Sequence, residues 1–207
     1  MTEFTEISTR IGVLGGTFDP VHIGHVSLGM AAISEANLEK LLVMPAYIQP
    51  FKQCKHVTDD EHRLAMTKLA FENVPKSEIS TLEIDRMRIS YTFDTLSELK
   101  KKCPDEEIFF ITGTDSFLQI DSWYKGVDLL KNFSFIVSVR PGYYEHELNE
   151  KIETYQNLYC TEVIKLSARM PDISSTDIRE AYRKGESISS LVPESVERYI
   201  IDNGLYK

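Results

Sequence analysis

The feature that most restricts this chain is an alternation running almost from end to end, in which short β-branched or aromatic runs are separated by longer amphipathic stretches. Strands are expected at Ile11 to Leu14, Lys40 to Met44, Ile79 to Ile84, Ile108 to Thr112, Phe133 to Val139 and Val163 to Leu166. Helices are expected between them, at Val26 to Glu35, Glu61 to Phe71 and Thr92 to Lys102. In the third, Phe93, Leu96 and Leu99 recur at helical spacing, and Lys100 to Lys102 lie where cations complement the macrodipole. The strand runs are apolar nearly throughout, as befits strands covered by helices on both faces. Repeated strand–helix alternation predicts an α/β fold, a doubly wound and mainly parallel sheet with right-handed crossovers. The rhythm then breaks into two successive C-terminal helices. One opens at Ser174-Ser175-Thr176 and stops at Lys184-Gly185; the other has Pro193 in its first turn and ends near Asn203-Gly204. With no repeat, low-complexity tract or Gly/Ser linker, a single domain over residues 1–207 is expected.

Charge narrows the class of partner. The 23 Lys and Arg against 32 Asp and Glu leave a formal net charge of −9. Such a surface disfavours nucleic acid and anionic membranes, since neutralising a phosphate chain needs a basic face. Phosphate chemistry would therefore have to come from a local pocket. Cys54, Cys103 and Cys160 are far apart and odd in number, which suggests neither a disulfide frame nor a zinc ribbon. The opening MTEFTEISTR is acidic where a secretory signal is basic and then apolar. No apolar run reaches the roughly 18 residues of a membrane span. A cytoplasmic protein is expected.

In an open parallel sheet ligands bind beyond the carboxyl ends of the strands. Here the first strand runs into Gly15-Gly16-Thr17-Phe18-Asp19-Pro20-Val21-His22-Ile23-Gly24-His25, and a helix follows. Two glycines let backbone approach a phosphate, and a helix N-terminus offers free N–H donors at the positive end of its dipole. His22 and His25 are three residues apart and can face one site in the first turn, as imidazoles or partly as imidazolium ions. A lone histidine there would read as a cap or a surface residue. A metal pair lacks a third ligand of suitable spacing, and Gly12, Gly15 and Gly16 do not fit the G-x-G-x-x-G spacing of dinucleotide-dependent dehydrogenases.

The string GGTFDPVHIGH resembles the signature of the HxGH nucleotidyltransferase superfamily. Its extended GGTFDP form resembles, in particular, the bacterial nicotinate mononucleotide adenylyltransferases. The resemblance implies a Rossmann-like sheet and a reaction joining ATP to nicotinate mononucleotide. Ile173-Ser174-Ser175-Thr176-Asp177-Ile178-Arg179, which alone reads as an N-cap followed by a solvated arginine, is similar to the superfamily's second signature. Ser90-Tyr91-Thr92-Phe93-Asp94-Thr95-Leu96, preceded by Glu83, is similar to the family's SYTxDTL segment. Thr112-Gly113-Thr114-Asp115, the aromatic pair Trp123-Tyr124 and the strand ending Arg140-Pro141-Gly142 also follow in the family's order.

What the resemblance implies for individual residues has a physical rationale. His22, His25 and Arg179 would hold the triphosphate, with Lys52 assisting; Gly15, Gly16, Thr17, Phe18, Gly113, Asp115, Ser175 and Thr176 would bind ATP. Asp115, at a strand's carboxyl end, could accept hydrogen bonds from ribose hydroxyls. Thr92, Trp123, Tyr124 and Arg140 would bind the mononucleotide. Trp123, the only tryptophan, reads by type as a packing residue, whereas the family pattern gives its indole a pyridinium ring to stack on. The chain departs from the family at Gln49-Pro50-Phe51-Lys52, where Pro-Pro-His-Lys is common; the missing histidine's role is then absent or supplied elsewhere, with His56 a candidate.

The attacking phosphate monoester has a second pKa of about 6 and is largely ionised at neutral pH, so no general base is required. Alignment and charge stabilisation suffice. Mg²⁺ would ride on the β and γ phosphates and keep several waters. Other readings are a phosphopantetheine adenylyltransferase, disfavoured by Trp123-Tyr124, and a non-catalytic nucleotide sensor, kept open by Phe51. The partners expected are ATP and nicotinate mononucleotide, without nucleic acid or membrane; a homo-oligomer is allowed but not required.

Overall fold

The computed structural model describes residues 9–50, 57–139 and 145–207. Six parallel strands form one sheet in the order β3-β2-β1-β4-β5-β6, with β1 Arg10–Gly16, β2 Lys40–Pro45, β3 Ser77–Ile79, β4 Glu107–Gly113, β5 Ser134–Ser138 and β6 Val163–Lys165. The chain steps outward from β1 to β3, then returns to place β4 on the other side of β1. That reversal opens a crevice beyond the carboxyl ends of β1 and β4, the usual ligand position in a doubly wound sheet. The registers Leu14 against Val43 and Leu14 against Ile111 bring the strand ends on both sides level.

Side chains alternate across the strands and split the core in two. Leu14, Val43 and Ile111 face α1 (Ile23–Glu35), α2 (Asp60–Phe71), α8 (Ser175–Arg183) and α9 (Glu194–Asp202). Val13, Met44 and Phe110 face α4 (Thr92–Lys102), α6 (Gly126–Asn132) and α7 (Glu145–Tyr159). Both layers bury apolar surface, which explains the continuous apolar strand sequences. The expected α/β sheet is the one observed, and here every strand pair is parallel.

Two expectations are corrected. Ile79 to Ile84 is not a strand: β3 ends at Ile79, and a short helix, α3, takes Leu82–Asp85. Its apolar residues are those of a helical turn, which a short run cannot distinguish from a strand by period. Pro193 lies just before α9, as its N-cap with ψ 146°, because its ring suits an extended entry as well as a first turn. The other C-terminal helix starts as expected: Ser174 Oγ accepts from Asp177 N at 3.1 Å, and Gly185 follows the helix with φ +77°. α7 carries few apolar residues and escapes the periodicity reading.

One buried cation organises the loops at the sheet's carboxyl edge. Arg63, in α2, is only 2% exposed. Its guanidinium donates to Thr17 O (2.8 Å) beyond β1, to Ala46 O (2.7 Å) and Tyr47 O (3.3 Å) beyond β2, and to Thr58 O (2.8 Å) before α2. Burial lowers its pKa, while Asp19 and Asp60 act in the opposite sense. A lysine ammonium cannot span this fan of acceptors. Arg63→Lys is expected to cost about 2–4 kcal/mol, because carbonyls are left buried and unpaired; urea unfolding measures this, and a loss below about 0.5 kcal/mol contradicts it.

Candidate active site

A cleft of about 700 Å³ opens where β1 and β4 diverge. One wall is the turn from β1 into α1. His22 occupies the N-cap of α1 with extended backbone (φ −142°), and the first turn contains no acidic residue to neutralise its dipole. The His22 and His25 rings stack with centroids 3.7 Å apart, and His25 Nδ1 accepts from His22 N at 3.3 Å. A Cβ at Gly24 would lie 3.0 Å from His22 Nδ1, so the glycine makes room for the ring. Phe18, with φ +52°, stands edge-on to His25 at 4.9 Å.

His22 is 6% exposed, and its buried Nδ1 has no hydrogen-bond partner among the described residues. Burial brings its pKa down to about 4. His22 is therefore a neutral imidazole at physiological pH rather than a titrating charge.

The adjoining wall is the start of α8. Arg179 Nη1 donates to Asp19 O and to Ser175 O (3.3 Å), and Nη2 to Thr176 Oγ1 (3.3 Å). Ser175 Oγ donates to Pro20 O at 2.9 Å. The two motifs, about 150 residues apart in sequence, are thus stitched directly together. The approach to α8 is held from a distance: Glu35, last residue of α1, accepts from Ser167 N (2.6 Å), Ser167 Oγ (2.8 Å) and Ala168 N (3.0 Å), bonds that lower its pKa. Met170 and Pro171 then line the cleft.

The far end of the cleft is aromatic. Trp123 is partly buried, edge-on to Phe110 at 6.3 Å, and its neighbour Tyr124 is 48% exposed with its ring 4.5 Å from that of Tyr91. Trp123 therefore both packs and lines the cleft. Gly126 makes this turn feasible: its N donates to Trp123 O at 2.8 Å, and a Cβ there would meet Ile120 O at 2.0 Å. Glu83, 8% exposed, is also in the wall and accepts from Thr95 Oγ1 at 2.6 Å. Burial raises its pKa, against hydrogen bonds from Thr95 and Ser90 and the charge of Arg86.

Gly15, Gly16, His22, His25, Thr92, Gly113, Asp115, Trp123, Tyr124, Ser175, Thr176 and Arg179 all line this one cleft. Thr17 and Phe18 do not. Their side chains are 8% and 1% exposed; Phe18 packs beneath the turn, and Thr17 presents its carbonyl to Arg63. Lys52 and Arg140 lie outside the described residues, as do Phe51 and His56. Sequence reasoning missed Arg63, Glu35 and the contacts of Asp19. Nothing in their spacing marks them, since each acts through a fold-level encounter. Among the described residues no cluster of three or more His, Cys, Asp or Glu could hold a metal ion, and no helix is long and apolar enough to cross a membrane.

A switch-point cleft with two histidines at one helix start and serine, threonine and arginine at another is the arrangement that the sequence resemblance implied. Residues 13–181 match the cytidylyltransferase-like family. The chain is 42% identical over 203 residues to a probable nicotinate-nucleotide adenylyltransferase of Thermoanaerobacter sp. (strain X514), covering 98% of this chain and 96% of the relative. It is 37% identical over 198 residues to the nicotinate-nucleotide adenylyltransferase of Bacillus subtilis (strain 168), covering 96% and 98%. The chain belongs to the nicotinate-nucleotide adenylyltransferase family. Its fold is also that of the Plasmodium falciparum nicotinic acid mononucleotide adenylyltransferase complexed with NaAD, at 22% identity, TM-score 0.80, and coverage of 96% and 97%.

The depressed His22 pKa carries a stability consequence. Between about pH 6.5 and 4 the unfolded chain holds a proton on His22 that the folded chain does not, so stability falls as pH falls through this window. The native protein is expected to lose about 2–3 kcal/mol more than His22→Asn between pH 6.5 and 4.5, read from urea unfolding at both pH values. Equal losses in the two proteins would contradict a neutral buried His22.

Proposed function

We propose that this protein transfers the adenylyl group of ATP to the phosphate of nicotinate mononucleotide, giving nicotinate adenine dinucleotide and pyrophosphate, within a single nucleotidyltransferase domain. The observation that carries the reading is that one cleft joins the stacked His22 and His25, the start of α8 and the aromatic pair Trp123-Tyr124. A phosphate oxygen of the mononucleotide attacks the α-phosphorus of ATP. The bond from that phosphorus to the bridging oxygen breaks, and the electron pair leaves with pyrophosphate. The nucleophile is already ionised, so no residue need remove a proton.

The roles follow from position. His22 and His25 donate to the triphosphate at the start of α1, where backbone N–H groups add partial positive charge. Arg179 neutralises charge building on the leaving pyrophosphate, and Gly15 and Gly16 let the backbone come close. Asp115 and Gly113, at the carboxyl edge of β4, take the adenosine side with Ser175 and Thr176. Trp123 stacks on the pyridine ring, while Thr92 and Tyr124 orient it. Lys52 and Arg140 are assigned to the phosphates and the mononucleotide on sequence grounds. Among the described residues no cluster of His, Cys, Asp or Glu offers a metal seat, so a Mg²⁺ ion would enter with the ATP phosphates and would supply charge screening there. The acidic surface supports small-molecule partners, and the odd, scattered cysteines support a cytoplasmic setting. A homo-oligomer is compatible with this reading.

Pyrophosphate release with ATP and Mg²⁺ is expected with nicotinate mononucleotide, weakly with nicotinamide mononucleotide and not with phosphopantetheine. Comparable rates with both pyridine nucleotides would make the enzyme dual-specific. No release with any acceptor, from folded protein that binds ATP, would favour a sensor. His25→Ala is expected to lower turnover by about 10²–10³-fold with an unchanged circular-dichroism spectrum, the scale of losing one transition-state donor; near-native turnover would remove His25 from catalysis.

A further inference from the structure

Asp19 belongs to the first motif, where Arg179 of the second meets it, and is only 4% exposed. A buried carboxylate needs its oxygens satisfied. Its Oδ2 accepts from Thr58 N at 3.3 Å, and its Oδ1 accepts the short bond, 2.7 Å, from the hydroxyl of Tyr206 beyond α9. Arg179 Nη1 makes a long ion pair with Asp19 Oδ2, at 3.9 Å, and also donates to the backbone carbonyl of the same residue. Arg179 is thus held by the Asp19 backbone and only loosely by its carboxylate.

We propose that Tyr206 is a positioning residue for the triphosphate side of the cleft, acting through Asp19 on Arg179. The Tyr206 hydroxyl holds the Asp19 carboxylate so that this ion pair stays long. Without that donor the carboxylate is free to turn and close the 3.9 Å pair to direct hydrogen-bond contact, withdrawing the guanidinium from phosphate.

The local backbone is consistent with an enforced contact. Tyr206 adopts φ +64° and Phe18, adjacent to Asp19, adopts φ +52°; both are left-handed conformations that non-glycine residues seldom take. Burial and the neighbouring Asp19 also raise the Tyr206 pKa, which keeps the phenol a hydrogen-bond donor. The ring itself packs against the α1, α2, α8 and α9 face of the core, a contact that phenylalanine retains. Tyr206→Phe therefore removes the donor alone.

The inference rests on Arg179 contacting the triphosphate, and steady-state kinetics on Y206F, R179K and the double variant test both. Y206F is expected to raise the KM for ATP about tenfold while leaving the KM for nicotinate mononucleotide within about twofold. In the R179K background the same substitution is expected to change the KM for ATP less than about twofold, as for residues acting through one another. Thermal unfolding of each variant ensures that assays compare folded proteins. An unchanged KM for ATP in Y206F, equal rises for both substrates, or a full effect persisting in R179K would each overturn the proposal. An R179K enzyme with native ATP kinetics would instead remove Arg179 from the triphosphate, and the role of Tyr206 with it.

Discussion

The site depends on a charge that never reaches it. Arg63 is buried behind the β1 and β2 loops and is satisfied by main-chain carbonyls from three separate segments. Each of these carbonyls comes from a loop without sheet hydrogen bonds of its own to spend there, and burying it unpaired would be costly. A planar five-donor group suits such an arrangement, since it serves several acceptors while losing few degrees of freedom. Thr17, whose carbonyl this guanidinium holds, joins the glycine turn before it to the segment that leads into α1. The cleft wall is thereby shaped by the fold itself. Preorganisation of this kind is how a site without acid–base chemistry gains rate.

Within that frame the two histidines differ in kind. His22 is largely buried at the wall of the cleft and neutral, its ring filling the space left by Gly24. His25 is less buried and lies against it, with its Nδ1 engaged by the backbone N–H of His22. A pair of like-charged imidazolium ions at 3.7 Å would repel strongly, so depressing one pKa lets the rings stack. At this helix start His22 offers an anion N–H donors and dipoles rather than a full positive charge.

Much of this was legible in the residues. The strand–helix alternation foretold the parallel sheet, and the spacing of His22 and His25 foretold a shared face. Ser174 capping Asp177 and Gly185 ending α8 follow from local rules that hold regardless of tertiary context. What resisted reading was long-range. Ile79 to Ile84 divides between a strand and a helix because β3 has only one neighbouring strand to pair with and soon leaves the sheet. Arg63 looks like any helix arginine, and Tyr206 like any surface tyrosine near a helix end. Their partners lie 46 and 187 positions away, a separation that no window of sequence spans. Thr17 and Phe18 show the converse: a motif names its residues together, although some of them shape the backbone and only others face the cleft.

The grip of Glu35 on Ser167 and Ala168 gives α1 a second task. Its 13 residues span about 20 Å, with the histidine pair at one end and this carboxylate at the other. The eight residues from Ser167 to Ser174 run back towards the histidine end and reach at most about 26–29 Å when extended. The helix therefore works as a ruler: its length decides how far along the cleft α8 begins. One residue added to α1 would turn Glu35 by about 100° and shift it by about 1.5 Å relative to the histidines, enough to lose Ser167. Natural variation in this protein should thus change the composition of α1 freely on its outer face while keeping its residue count.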